Sequence, residues 1–254
     1  MRSLGVWLRR HIILATESDL VAASLLCKFR RLVRELGLSH ALCYLMQRAS
    51  AKSGGLMAVH SYLLVAQPVP AAPLLAARRG RSIVVRQLDP QDRRLMALPL
   101  DEAVLAYRAS QGAVCFAAFK EEDVIGCLWL CLSPYDEDEV RCRYRPAPAG
   151  EASWDFDVYL MPAHRSGLGF ARLWDEANAY LRQRGIAFSW SRISAFNPTS
   201  LASHARLGAR VAGQATFLRL GPCQLMLASL PPRWHLSFRP TDRPSITLQN
   251  PKRR

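Results

Sequence analysis

The sequence predicts a mixed α/β (α+β) domain preceded by an extra helical segment. Three observations carry this. The chain has 254 residues, half of them apolar and about a fifth charged, which is enough to bury a sizeable core. From residue 82 onward, short β-branched or alternating runs interchange with stretches of helical period. The joints between them carry turn chemistry: Asp89-Pro90, the group Pro146, Pro148 and Gly150, then Gly167, Gly169, Gly208 and Gly221-Pro222.

Taken in order, the first residues are basic (Arg2, Arg9, Arg10) around a brief apolar patch, Ile12-Ile13-Leu14, shorter than the ~7–15 residue core of a secretory signal. The absence of any acid before Glu17 is also the composition of a transit peptide. Leu25, Phe29, Leu32, Val33 and Leu36 then recur at helical spacing among Lys28, Arg30, Arg31 and Arg34, a basic amphipathic helix ending near Gly37. A second helix is expected over 39–48. Residues 53–77 carry no charge and exceed the ~20 residues that cross a bilayer, but Gly54-Gly55, Pro68, Pro70 and Pro73 break them. They read as a strand over 57–65 and an extended linker over 67–81.

Residues 82–88 form the next strand, and 91–98 a helix entered at Asp89-Pro90. The apolar runs 113–120 and 124–132, joined by Glu121-Glu122-Asp123, form a hairpin. Residues 133–151 are acidic, then basic, and read as a surface hairpin or loop. In 154–161 the residues Asp155, Asp157 and Tyr159 alternate with Phe156, Val158 and Leu160, a strand with one wet and one dry face that ends at Pro162. Phe170, Leu173, Trp174, Ala177 and Leu181 mark a helix, 188–195 a strand, 198–207 a short helix, and 210–220 with 223–230 a closing hairpin.

The residues between strand and helix carry the chemistry. Pro162-Ala163-His164-Arg165-Ser166-Gly167-Leu168-Gly169 delivers unpartnered backbone N–H groups and the positive end of a helix dipole to one spot, an anion site. Glycine there keeps a Cβ from holding a phosphate off the backbone. No Gly-x-x-x-x-Gly-Lys-Ser/Thr occurs, so a nucleotide P-loop is not indicated.

Arg165-x-Gly167-x-Gly169 after a strand ending in Leu-x-Pro, then Asn197-Pro198-x-Ser200 and a helix closing in Leu207-Gly208, resembles the GNAT superfamily of N-acetyltransferases over residues 152–230, and more loosely over 82–151. The family's usual turn reads Arg-Gly-x-Gly-x-Gly; this one is a residue shorter. The resemblance implies a mostly antiparallel sheet in which two central parallel strands splay into a V-shaped slot. It implies acetyl-CoA, or another acyl-CoA, as co-substrate. It places Leu160, Met161, Arg165, Ser166, Gly167, Leu168, Gly169, Phe170, Asn197 and Ser200 around that co-substrate, with residues 158–161 lining the slot and a backbone N–H there polarising the thioester carbonyl. Seven residues after the motif asparagine the family often has a tyrosine that protonates the departing thiolate. Here it is His204, whose imidazolium would donate instead. Asp155 and Asp157, on the wet face, are the candidates for removing the amine proton. His60 and His235 stand without companions at ligand spacing, so no metal is expected.

Charge divides the chain. Residues 1–81 carry a net +9, 82–230 are neutral and 231–254 carry +5. A module that reads duplex nucleic acid keeps its charge on the folded unit, so nucleic acid is disfavoured as partner. The expected organisation is a basic helical extension and linker (1–81), an acyltransferase domain (82–230) and a flexible basic tail (231–254). Seven cysteines, an odd number with no Cys-x-x-Cys, suggest reduced thiols and a cytoplasmic setting. The expected function is acyl transfer to the amine of an acceptor that the sequence does not name. The alternative is a catalytically inactive GNAT-fold module docking through the basic helix on an anionic membrane surface or an acidic partner.

Overall fold

The computed structural model describes residues 30, 33–34, 37–50, 56–76, 78–165 and 167–251. The chain begins with α1 (Leu38–Ser50), β1 (Met57–Pro68), β2 (Ile83–Leu88) and α2 (Glu102–Ser110). It continues through β3 (Val114–Lys120), β4 (Asp123–Cys131), β5 (Tyr135–Asp136), β6 (Arg143–Ala147) and β7 (Ala152–Leu160). It closes with α3 (Gly169–Gln183), β8 (Phe188–Ser194), α4 (Pro198–Arg206), β9 (Arg210–Leu220), β10 (Cys223–Ala228), β11 (Trp234–Ser237) and β12 (Ser245–Gln249).

Nine strands form one sheet in the order β11-β10-β9-β1-β8-β7-β4-β3-β2, antiparallel throughout except for β7 beside β8. The mixed, mostly antiparallel sheet with two central parallel strands is therefore as expected. α3 covers one face. Its Leu173, Trp174, Ala177 and Leu181 are fully buried, a helical stripe packed with Phe116, Leu128 and Leu130. The other face packs against a second sheet, β12-β6-β5, in which β12 runs parallel to β6. Here Tyr144 stacks on Trp154 and Tyr135 on Phe156, both with ring centroids 4.2 Å apart.

Two expected boundaries fail. Residue 81 does not divide the chain, because β1 lies inside the sheet, paired with β8 on one side and β9 on the other. Its Leu64, Val65 and Ala66 are buried, and burying a side chain as large as leucine or valine contributes about 1.5–3 kcal/mol. The strand also reaches past residue 65, taking in Gln67 and Pro68. Proline is tolerated because the pairing with β9 has ended at Ala66↔Arg210, and the bond to the β8 side comes from the next residue, Val69 N–H to the Ala187 carbonyl at 2.9 Å. The connector that follows is pinned rather than free: the Leu74 and Leu75 N–H groups donate to the buried Asp175 carboxylate on α3 (2.6 and 3.2 Å). Nor is the C-terminal segment a loose tail. β11 pairs with β10, β12 buries Ile246 and Leu248 completely, and the Trp190 indole N–H donates to Asn250 Oδ1 at 3.1 Å.

Smaller differences have local causes. The expected helix over 91–98 is one 3-10 stretch, Arg93–Ala97, capped by Asp92. α2, unforeseen, is capped by Asp101, whose side chain accepts from the Val104 N–H. Only Leu105 and Arg108 of α2 are buried, so it has no apolar stripe to read. The basic amphipathic helix over 25–36 lies outside the described residues, apart from Arg30, Val33 and Arg34.

Deleting residues 231–254 is expected to unfold the protein or lower its melting temperature by about 10 °C or more, since two strands of core contacts are lost with it. A loose tail would leave the melting temperature unchanged in the same calorimetric scan.

Candidate active site

β7 and β8 pair in parallel only from Ala152↔Phe188 to Asp155↔Ser191. Beyond that point they part, while each stays paired on its outer edge: β7 with β4 as far as Leu160↔Gly126, and β8 with β1 as far as Ser194↔Tyr62. A register shift between Trp129 and Leu130 leaves Phe156 without a partner on β4 and turns the β7 edge at the fork. Past this bulge, the Met161 N–H donates to the Ile125 carbonyl, so by alternation the N–H groups of Val158 and Leu160 face the gap. The result is a cleft of about 490 Å³ walled by Val158, Tyr159, Leu160, Arg165, Phe170, Asn197, Ser200 and His204. A smaller cavity of about 190 Å³ continues to the fork at Asp155 and Ser191.

The turn after β7 runs as a short 3-10 segment, Pro162–His164, into α3. Among the described residues no side chain caps α3 at Leu168, which leaves its first-turn N–H groups beside the cleft. Arg165 folds back, its Nε donating to the Leu160 carbonyl at 2.9 Å and its guanidinium lying 5.6 Å from the Tyr159 ring. A Cβ on Gly167 would meet nothing nearer than the His164 carbonyl at 3.7 Å, whereas one on Gly169 would press the Leu160 side chain at 3.0 Å. Ser166 lies outside the described residues.

Asn197 caps α4, its Oδ1 accepting from the Ser200 N–H at 3.0 Å, with Pro198 in the first turn. Ser200 and His204, four residues apart, share one face of the helix, and both line the cleft. His204 is 4% exposed, its ring nearly perpendicular to those of Phe170 and Trp174 with centroids 5.6 and 5.7 Å away, and its Nδ1 is 3.1 Å from Gln67 Oε1. Burial pushes its pKa down to about 4. Burial thus favours the neutral ring over the imidazolium donor expected from the sequence.

The two aspartates also differ from expectation. Asp155 is not on a wet face but 2% exposed, because the bulge breaks the strand's alternation. Ser189 Oγ donates to it at 2.7 Å and is itself 3.1 Å from Ser153 Oγ. Burial pushes the Asp155 carboxyl up to about 7, against the pull of the Ser189 and Ser191 hydroxyls. Asp157 is half-buried and accepts from Arg108 Nη2 at 2.9 Å. That guanidinium lies 4.8 Å from the Trp129 ring centroid and 5.3 Å from that of Phe156.

Across the gap, Arg192 lines the inner cavity and grips the buried Glu137 with two bonds of 2.5 and 2.6 Å, with Glu139 at 3.2 Å. Tyr62 Oη donates to Glu139. The acidic run read from the sequence as a solvated loop is thus tied by Arg192 to the rim of the site.

The fold brings Asp155, Asp157, Leu160, Arg165, Phe170, Asn197, Ser200 and His204 to one cleft. Met161 is not among them. Its N–H is spent on β4, and its side chain lines a separate hollow with Lys120, Asp123 and His164. Sequence reasoning missed Gln67, Arg108, Ser191 and Arg192. Only Arg192 had a signal, a lone cation in the run Ser-Trp-Ser-Arg-Ile-Ser. Among the described residues, no cluster of His, Cys, Asp and Glu is arranged to hold a metal ion.

A mixed, mostly antiparallel sheet forked between two central parallel strands, with a helix starting at the mouth of the fork, is the fold that the resemblance to the GNAT superfamily implied. No family model and no curated protein matches the chain. Among solved structures it is similar to a putative GNAT-family acetyltransferase from Novosphingobium aromaticivorans (17% identity, 64% of this chain and 66% of that one, TM-score 0.46). It is also similar to aminoglycoside N-acetyltransferase AAC(6')-Iy in complex with CoA (19% identity, 52% and 91%, TM-score 0.37). A tandem GNAT protein of the clavulanic acid biosynthesis pathway aligns at 11% identity over 67% and 57%, with a TM-score of 0.44.

The Asp155 carboxyl, raised to about 7 in the fold against ~3.9 in the unfolded chain, stabilises the protein fully only below the lower value, and this stability is lost as pH rises through the upper one. Asp155→Asn is therefore expected to raise the melting temperature at pH 8 and leave it nearly unchanged at pH 4. Equal effects at both pH values would show the carboxyl to be unperturbed.

Proposed function

We propose that this protein is an acyl-CoA-dependent N-acyltransferase, with acetyl-CoA as donor and the amine of a small molecule as acceptor. The observation that carries this reading is the fork: Val158 and Leu160 N–H groups, without a partner among the described residues, face a cleft whose far end is the start of α3. The residues fit the co-substrate. The first-turn amides of α3 and Arg165 would take the diphosphate, Gly167 leaves room for it, and the β7 edge would bind the pantetheine arm as an added strand binds a sheet edge. A cleft of about 490 Å³ lies within the ~300–1,000 Å³ usual for such ligands.

Transfer proceeds in a ternary complex. The acceptor meets an acidic rim, Asp157 fixed by Arg108 and Glu139 on Arg192, which favours an amine arriving as an ammonium. The ammonium first releases one proton to solvent, and the free amine so formed attacks the thioester carbonyl, whose developing oxyanion is held by a β7 N–H. As the C–N bond forms and the C–S bond breaks, the Asp155 carboxylate takes the nitrogen's proton, and the resulting carboxyl returns it to the thiolate. A pKa of about 7 suits both steps, and the protein ends as it began.

Two outcomes test this. Acetyl-CoA should raise the melting temperature, and Gly167→Val should weaken CoA binding by about tenfold (1.4 kcal/mol) in calorimetric titration without loss of stability; unchanged affinity would detach the turn from the phosphates. With amines as acceptors, kcat should rise as pH increases through about 7, and Asp155→Asn should remove that limb and cost about 10²-fold. A retained limb would acquit Asp155.

A further inference from the structure

His204 has no charged partner. Its one hydrogen bond among the described residues is to Gln67, which is 1% exposed and sits on β1, 137 positions away in the chain. Gln67 faces Ser189 across the β1–β8 ladder, and Ser189 is the residue that donates to Asp155. A seam of polar side chains, His204–Gln67–Ser189–Asp155, therefore runs across three strands under α3 and α4.

An amide carbonyl oxygen can only accept. Opposite a neutral imidazole it therefore requires the proton on Nδ1, and Nε2 is left as a bare lone pair. The Phe170 and Trp174 rings pack against the imidazole nearly at right angles, with centroids 5.6 and 5.7 Å away, and crowd the buried ring. We propose that Gln67 is a positioning residue that fixes His204 in the Nδ1–H tautomer, so that the ring serves the cleft as a hydrogen-bond acceptor and not as a proton donor. Resting on the acyltransferase reading, the consequence is that His204 orients an N–H of the attacking amine or of the pantetheine arm, while the proton for the thiolate comes from elsewhere. The strand nearest the linker thus supplies part of the site.

The tautomer is measurable without any substrate. In the full-length protein labelled with ¹⁵N-histidine, the His204 resonances, assigned by their loss in His204→Asn, are expected to show a protonated Nδ1 and a bare Nε2 at pH 7. A protonated Nε2 overturns the proposal. Gln67→Leu, which keeps the volume and removes the acceptor, should shift the ring toward the Nε2–H form. A Leu variant with the wild-type pattern would equally refute the role. Should Gln67→Leu fail to fold, the wild-type spectrum decides alone. In turnover, Gln67→Leu should lower kcat several-fold with the affinity for acetyl-CoA unchanged; a loss confined to CoA affinity would make Gln67 a packing residue. Absence of acetyl-CoA binding in the wild type would defeat the acyltransferase reading and leave the tautomer result standing.

Discussion

Backbone hydrogen bonds that β7 and β8 stop making beyond Asp155↔Ser191 govern the rest of the molecule. An N–H or C=O group left unpaired in a protein interior costs ~1–3 kcal/mol, so a sheet normally closes such a gap. Here closure is prevented from both sides. β4 holds β7 through Leu160, and β1 holds β8 through Ser194, each strand satisfied on its outer edge and drawn away from its inner neighbour. The edges freed in this way face a cleft, where water or an extended ligand can satisfy them. β1 is for this reason not an appendage: without it β8 would have one edge unpaired and no cause to lean outward.

The electrostatics of the site follow from the same geometry. Where the strands part, the sheet interior is exposed to a narrow cavity, and polar groups sit there under α3 with little solvent. Burial moves the two titratable groups in opposite directions, Asp155 up to about 7 and His204 down to about 4. A carboxyl near 7 can hold or release a proton under working conditions, and an imidazole near 4 is a fixed neutral dipole. The division of labour is set by what each group faces: Asp155 has hydroxyls that stabilise its charge, and His204 has aromatic edges and an uncharged amide.

Much of the domain was legible in the chain. The hairpin at 121–123, the α3 stripe, the Arg165-x-Gly167-x-Gly169 turn and the Asn197 cap are local features, set by spacing within a few residues, and each lies where the sequence puts it. What could not be read depends on distant partners. Nothing near Gln67 announces a residue of the site; it stands in a proline-rich stretch and gains its role from a helix 137 positions later. The misjudged face of Asp155 comes from a bulge opposite Leu130, which only strand pairing reveals. The C-terminal strands were hidden by their basic flanks, since β12 is anchored by two buried side chains, Ile246 and Leu248, among polar residues.

The proposed function requires the gap between the parted strands to receive a thioester. A crystal structure of the protein grown with CoA tests it most directly. The diphosphate is expected on the first turn of α3, the pantetheine amides paired with the β7 edge at Val158 and Leu160, and the sulfur in the cavity that Asp155 and His204 share. CoA bound elsewhere, or a gap closed by side chains in its presence, would contradict the proposed function.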